Sequence, residues 1–191
     1  MKAALAAYQD SLSYTEELAA DDPKKVPIQR DLSLGHENVG RILLKQEDPP
    51  AALDHYRRSL AIRKQLAAGD PSNTKLQRDV LQGHNRIGDI LHKQDQVQEA
   101  IAEYQASHMI AERLAAAEPR NADWQYLSYR QLGRVRELEG NTEGARDMYC
   151  QAKKVVSINS ELHPTESQWQ ERLHRLEQHL DDVQGSGACP L

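Results

Sequence analysis

Phenylalanine is absent from this chain of 191 residues, and proline occurs only eight times. Leu, Ala, Gln, Arg and Glu are plentiful instead, a balance that favours helix over sheet. Cysteine is nearly absent too. Cys150 and Cys189 give no disulfide framework of the kind that staples small secreted domains, so a reducing cytoplasm is the expected compartment. There is no basic excess: the net charge of −5 argues against a general nucleic-acid binder, which must replace counterions with Lys and Arg. Long apolar runs are missing as well. The longest, Ala3 to Tyr8, is six residues, far short of a membrane span or a signal-peptide core.

What the chain does contain is repetition. Tyr8, Tyr56, Tyr104 and Tyr149 are spaced 48, 48 and 45 residues apart. Fifteen residues after each comes a proline: Pro23, Pro71, Pro119 and Pro164. Five residues further on stands a large apolar residue followed by glutamine, in Ile28-Gln29, Leu76-Gln77, Trp124-Gln125 and Trp169-Gln170. Gly40, Gly88 and Gly133 lie sixteen residues before the last three tyrosines, and Ala4, Ala52, Ala100 and Ala145 lie four before all of them. Chance does not hold five landmarks in register.

Each landmark has a helical reason. A small residue recurs three positions after the tyrosine (Ser11, Ser59, Ser107, Ala152) and an apolar one at six (Tyr14, Ile62, Ile110, Val155). With the alanine at minus four, these trace one stripe on a 3.6-residue period. The preceding segments carry a second stripe, Leu32, Val39, Ile42, Leu43 and then Val80, Ile87, Ile90, Leu91. Each unit therefore reads as two antiparallel helices joined by a tight turn, with a proline-marked turn into the next. Helices are predicted near 2–20, 26–46, 50–68, 73–94, 97–117, 121–139, 142–161 and 165–182. Trp124 to Gly133 spans nine residues where Ile28 to Gly40 and Leu76 to Gly88 span twelve, which shortens one first helix by three residues.

The sets Gly40-Ala52-Tyr56-Ser59, Gly88-Ala100-Tyr104-Ser107 and Gly133-Ala145-Tyr149-Ala152, each glycine preceded by Val39, Ile87 or Leu132, resemble the tetratricopeptide repeat family. These units exceed the family's usual length of about 34 residues. They look like the long-helix variety found in kinesin-light-chain-like and bacterial signalling arrays. The resemblance implies an all-α fold, a tandem helix-turn-helix right-handed superhelical solenoid. It covers one domain, 1–182: a second helix at 2–20, repeats at about 26–68, 73–117 and 121–161, and a capping helix at 165–182. Residues 183–191, with Gly185-Ser186-Gly187, are expected to be a disordered tail. The stripe Ala4, Leu5, Tyr8, Leu12 and Leu18 lacks a first helix of its own. That predicts upstream repeats or self-association through this end.

No catalytic constellation emerges. There is no Gly-rich phosphate loop, no G-x-S-x-G and no H-E-x-x-H. His36 and His84 are repeat-equivalent and read as packing residues, as does Cys150. Neither enzyme activity nor a cofactor or metal is expected. The register tyrosines and tryptophans fall on core positions.

Surface carries the functional reading. In the family the first helices line the concave groove that holds a ligand. The positions so implied are Asn38, Arg41, Lys45, Asn85, Arg86, Asp89, His92, Lys93, Arg130 and Arg134, with Glu37, Leu44, Glu137 and Leu138 beside them. This set is basic relative to the acidic remainder, which favours an acidic protein or peptide segment. The same residues also fit a solvated face without a selected ligand. The expected function is a protein-interaction scaffold. The alternative is a peptide or small-ligand sensor within a larger bacterial signalling protein.

Overall fold

The computed structural model describes residues 2–182 and Cys189, and among these it contains eight α-helices and no strand. The chain forms two compact units, Met1–Gln96 and Val97–Leu191. The first holds α1 (Lys2–Asp21), α2 (Val26–Lys45), α3 (Pro49–Gly69) and α4 (Thr74–Lys93). The second holds α5 (Val97–Ala117), α6 (Ala122–Leu138), α7 (Thr142–Leu162) and α8 (Ser167–Asp182). Within each unit every helix packs on the next in sequence. The architecture is all-α and built of helical hairpins, and each predicted helix lies within two residues of an observed one.

Local chemistry sets the helix ends. Asp48, Asn73, Asn121 and Asn141 each accept a backbone N–H of the first turn that follows, and Pro49 and Pro50 sit where a helix needs no donor. The turns before α3, α5 and α7 each place one residue in the left-handed region: Glu47 (φ 60°), Asp95 (φ 58°) and Gly140 (φ 77°). The proline–glutamine landmark closes the joins after α3, α5 and α7. There the Gln77, Gln125 and Gln170 amides donate to the carbonyls of Pro71, Pro119 and Pro164 at 3.5, 2.6 and 2.9 Å.

Packing explains the glycines. A Cβ on Gly40 would lie 3.1 Å from the Tyr56 ring, and one on Gly133 would lie 2.6 Å from the Tyr149 ring. Each register tyrosine of α3 and α7 thus lies directly across the glycine of its own first helix. In the first unit a second close approach joins each second helix to the first helix that follows it. Leu12 of α1 meets Gly35 of α2, and Leu60 of α3 meets Gly83 of α4, at 3.0 and 2.9 Å from the positions a Cβ would take. As the spacing predicts, α6 is the short first helix, with 17 residues against 20 in α2 and α4. Trp124, near its start, is buried and donates through Nε1 to Glu118 at 2.9 Å.

One expectation, that the two cysteines stand apart, needs correction. The cysteines are not independent: Cys150 of α7 is bonded to Cys189, Sγ to Sγ, across a sequence separation of 39. The reducing compartment inferred from two cysteines rested on their not pairing. The tail expected to be disordered, 183–191, lies outside the described residues except for Cys189, which packs on the core formed by Tyr126, Tyr149, Val156, Trp169 and Leu176. Neither cysteine is free.

Candidate partner-binding faces

The register tyrosines have a polar end, and that end organises the charged groups around it. In the first unit the buried Tyr56 of α3 is hydrogen-bonded through its hydroxyl to Arg86 of α4, and burial pushes its phenol pKa up. Arg86 also pairs with Glu37 of α2 at 2.9 Å. The second oxygen of Glu37 pairs with Arg63 of α3, whose guanidinium additionally donates to the Asp79 carbonyl at 3.2 Å. The Arg63 side chain is only 10% exposed. A charge so nearly withdrawn from water must be paired, and Glu37 supplies the partner. Arg63–Glu37–Arg86 therefore ties α2, α3 and α4 together.

The second unit repeats the idea with other residues. Tyr149 of α7 donates to Glu137 of α6 at 2.7 Å, and His179 of α8 approaches the same carboxylate oxygen at 3.0 Å. The two rings meet edge-on, 4.6 Å between centroids. Burial first, and then the bond to Glu137, drives the Tyr149 pKa upward, so the hydroxyl keeps its proton. Arg172 of α8 pairs with Asp123 of α6 while lying over the rings of Tyr126 and Trp169, 4.8 and 4.6 Å from their centroids.

The residues singled out from sequence divide into two groups. Arg41, Lys45, His92 and Lys93 are exposed. Asn38, Asn85, Arg86, Asp89, Arg130 and Arg134 are half-buried. Arg41 donates to Asn38 at 3.0 Å, which fixes its direction while leaving it in solvent. Arg86 is committed to Glu37 and Tyr56, and Arg134 lies 4.1 Å above the centre of the Tyr104 ring. The outer group stands in solvent, while Arg86 in the first unit and Arg134 in the second are each committed to contacts inside their own unit.

Sequence reasoning missed Arg63 and His179. Arg63 had a signal: it stands seven residues after its tyrosine, where the later copies have Ala111 and Val156. A cation in a packing position requires a buried acid nearby. The absence of phenylalanine was a second signal, since the aromatic at Tyr8, Tyr56, Tyr104 and Tyr149 keeps a hydroxyl in every copy. His179 had none, because its partner Glu137 is brought to it only by the packing of α8.

No family model matches the chain, and no curated protein is similar enough to count as a relative. Among solved structures it is similar to a de novo designed helical repeat protein, with 15% identity over 95% of each chain and a TM-score of 0.38. It is also similar to BtubC (BKLC) from P. vanneervenii, with 12% identity over 100% of this chain and 96% of that one, and a TM-score of 0.41. The chain itself is a helical repeat protein by its own internal register. Among the described residues no helix is long and apolar enough to cross a membrane.

Proposed function

We propose that this chain is a protein-interaction scaffold of the tetratricopeptide type, holding an acidic protein or peptide segment against the first-helix surfaces of its repeats. The observation that carries the reading is the outer group in the first unit. Arg41, Lys45, His92 and Lys93 are all exposed, and none is acidic. They stand on two helices, α2 and α4, locked beneath by Arg63–Glu37–Arg86. Cationic side chains on rigid elements attract carboxylates with little ordering cost, and long-range attraction speeds encounter. The reading is one of binding, not catalysis.

The compartment depends on the cysteines. In a reducing cytoplasm Cys150 and Cys189 would stand as thiols, and in an oxidising compartment as the cystine. Their pairing favours the second.

A pull-down with the full chain tests the scaffold reading. Wild type is compared with an Arg41→Glu/Lys45→Glu/Lys93→Glu variant of unchanged helicity and melting temperature. A partner recovered by wild type and lost to the variant supports the proposal. One recovered equally by both places binding elsewhere.

A further inference from the structure

The repeats allow α1 to be compared, residue by residue, with two helices of the same kind whose surroundings are complete. In α3, Ala52, Tyr56 and Ser59 are all buried, and in α7 so are Ala145, Tyr149 and Ala152. What buries them is a first helix whose glycine admits the ring: Gly40 of α2 for Tyr56, Gly133 of α6 for Tyr149. Ser59 adds a bond across that contact, its hydroxyl donating to the Ser33 carbonyl at 2.8 Å. The equivalent residues of α1 are Ala4, Tyr8 and Ser11. Ala4 and Ser11 are exposed, Tyr8 is half-buried, and Tyr14 at the next position of the stripe is 64% exposed.

The other side of α1 is packed as in its counterparts. Leu12 is buried against Gly35 just as Leu60 is buried against Gly83, 48 residues on, and Ala19 is buried as well. So α1 makes the contact that a second helix makes with the next first helix, and its tyrosine face stands open. The internal copies state what that face is shaped to hold.

We propose that the Ala4–Tyr8–Ser11 face of α1 is a docking site for one amphipathic helix of a partner chain, antiparallel to α1 and carrying glycine opposite Tyr8. Two features narrow the partner. An alanine, a serine and a tyrosine ring at helical spacing form a shallow ledge, on which a helix settles closely only if it offers no side chain at the crossing. The exposed edge of α1 bears Asp10, Glu17 and Asp21, so basic flanks on the incoming helix complement it. A second copy does not supply such a helix. In this chain α2 and α6 already hold Tyr56 and Tyr149, Gly88 of α4 is buried, and α8 has no glycine. The site is separate from the basic outer group, so each reading can fail without the other.

The test uses the full chain and a labelled synthetic peptide with the sequence of α2, Val26–Lys45, as the probe helix. Saturable binding is expected by fluorescence anisotropy. It should weaken at least tenfold when the peptide carries Gly40→Leu or the chain carries Tyr8→Glu, and be unchanged by Lys93→Glu. Ser11→Arg is a second variant, at an exposed position, in case Tyr8→Glu perturbs the fold. Absence of saturable binding, or equal binding of the Gly40→Leu peptide, overturns the proposal. So does sedimentation showing a dimer that Tyr8→Glu or Ser11→Arg converts to monomer, since the occupant would then be a second copy.

Discussion

Gly133 and Tyr149 approach so closely that a Cβ on the glycine would lie 2.6 Å from the ring. The ring cannot yield easily, because its hydroxyl is bonded to Glu137 and it meets the His179 ring edge-on. Gly133→Ala is therefore expected to destabilise by about 1–3 kcal/mol through overpacking. Gly69, at the end of α3, has nothing within 4 Å of the corresponding position. There Gly69→Ala should be neutral or stabilising by up to about 1 kcal/mol, since it restricts only the unfolded chain. Denaturant melts of the two variants check the contrast; equal shifts would contradict it.

The left-handed turn residues give predictions of opposite sign. Asp95 takes φ 58° without being glycine, while Gly140 takes φ 77° in the equivalent turn. Asp95→Gly should stabilise by about 0.5–1 kcal/mol by relieving that conformation, and Gly140→Ala should destabilise by about 1–2 kcal/mol. Thermal melts of both variants read the signs directly.

How much of this was legible beforehand depends on whether a feature repeats. The helices, the Gly40–Tyr56 and Gly133–Tyr149 crossings and the shortened α6 were, because each is fixed by packing landmarks spaced 48 or 45 residues apart. Arg86 and Arg134 could be placed on the first helices, but not seen to be occupied by Glu37, Tyr56 and Tyr104. Those contacts involve neighbouring helices, whose relative rotation no periodicity specifies. The Cys150–Cys189 bond was hidden for a similar reason: no spacing tells that Cys189 lies against α7.

That bond should contribute measurably. Closing a loop of this length restricts the unfolded chain, and its removal is expected to cost about 2–4 kcal/mol. Cys189→Ser, or reduction of the wild type, should lower the midpoint of denaturant unfolding, and reduction should leave the Cys189→Ser variant unchanged. A midpoint insensitive to reductant in the wild type would show that the bond adds nothing.

The His36–His55 pair makes stability depend on pH. Their Nδ1 atoms are 3.2 Å apart between α2 and α3. Burial, followed by the neighbouring His55 and Arg58, holds His36 at about 4, against 6.5 for the unperturbed group. Burial also lowers His55. Because the unfolded chain takes the proton more readily, stability is complete above about pH 6.5 and is lost as the pH falls from there towards 4. The melting temperature of wild type should drop over that window more steeply than that of His36→Asn. Parallel pH profiles would show that the pair does not titrate on unfolding.

The central claim, that an exposed basic surface on α2 and α4 selects acidic segments, is tested most directly by selecting peptides from a random displayed library on the full chain. The account predicts recovered sequences enriched in Asp and Glu, whose binding weakens as salt rises and is lost on the Arg41→Glu/Lys45→Glu/Lys93→Glu variant. Recovered sequences without acidic enrichment, or with equal affinity for the variant, would contradict it.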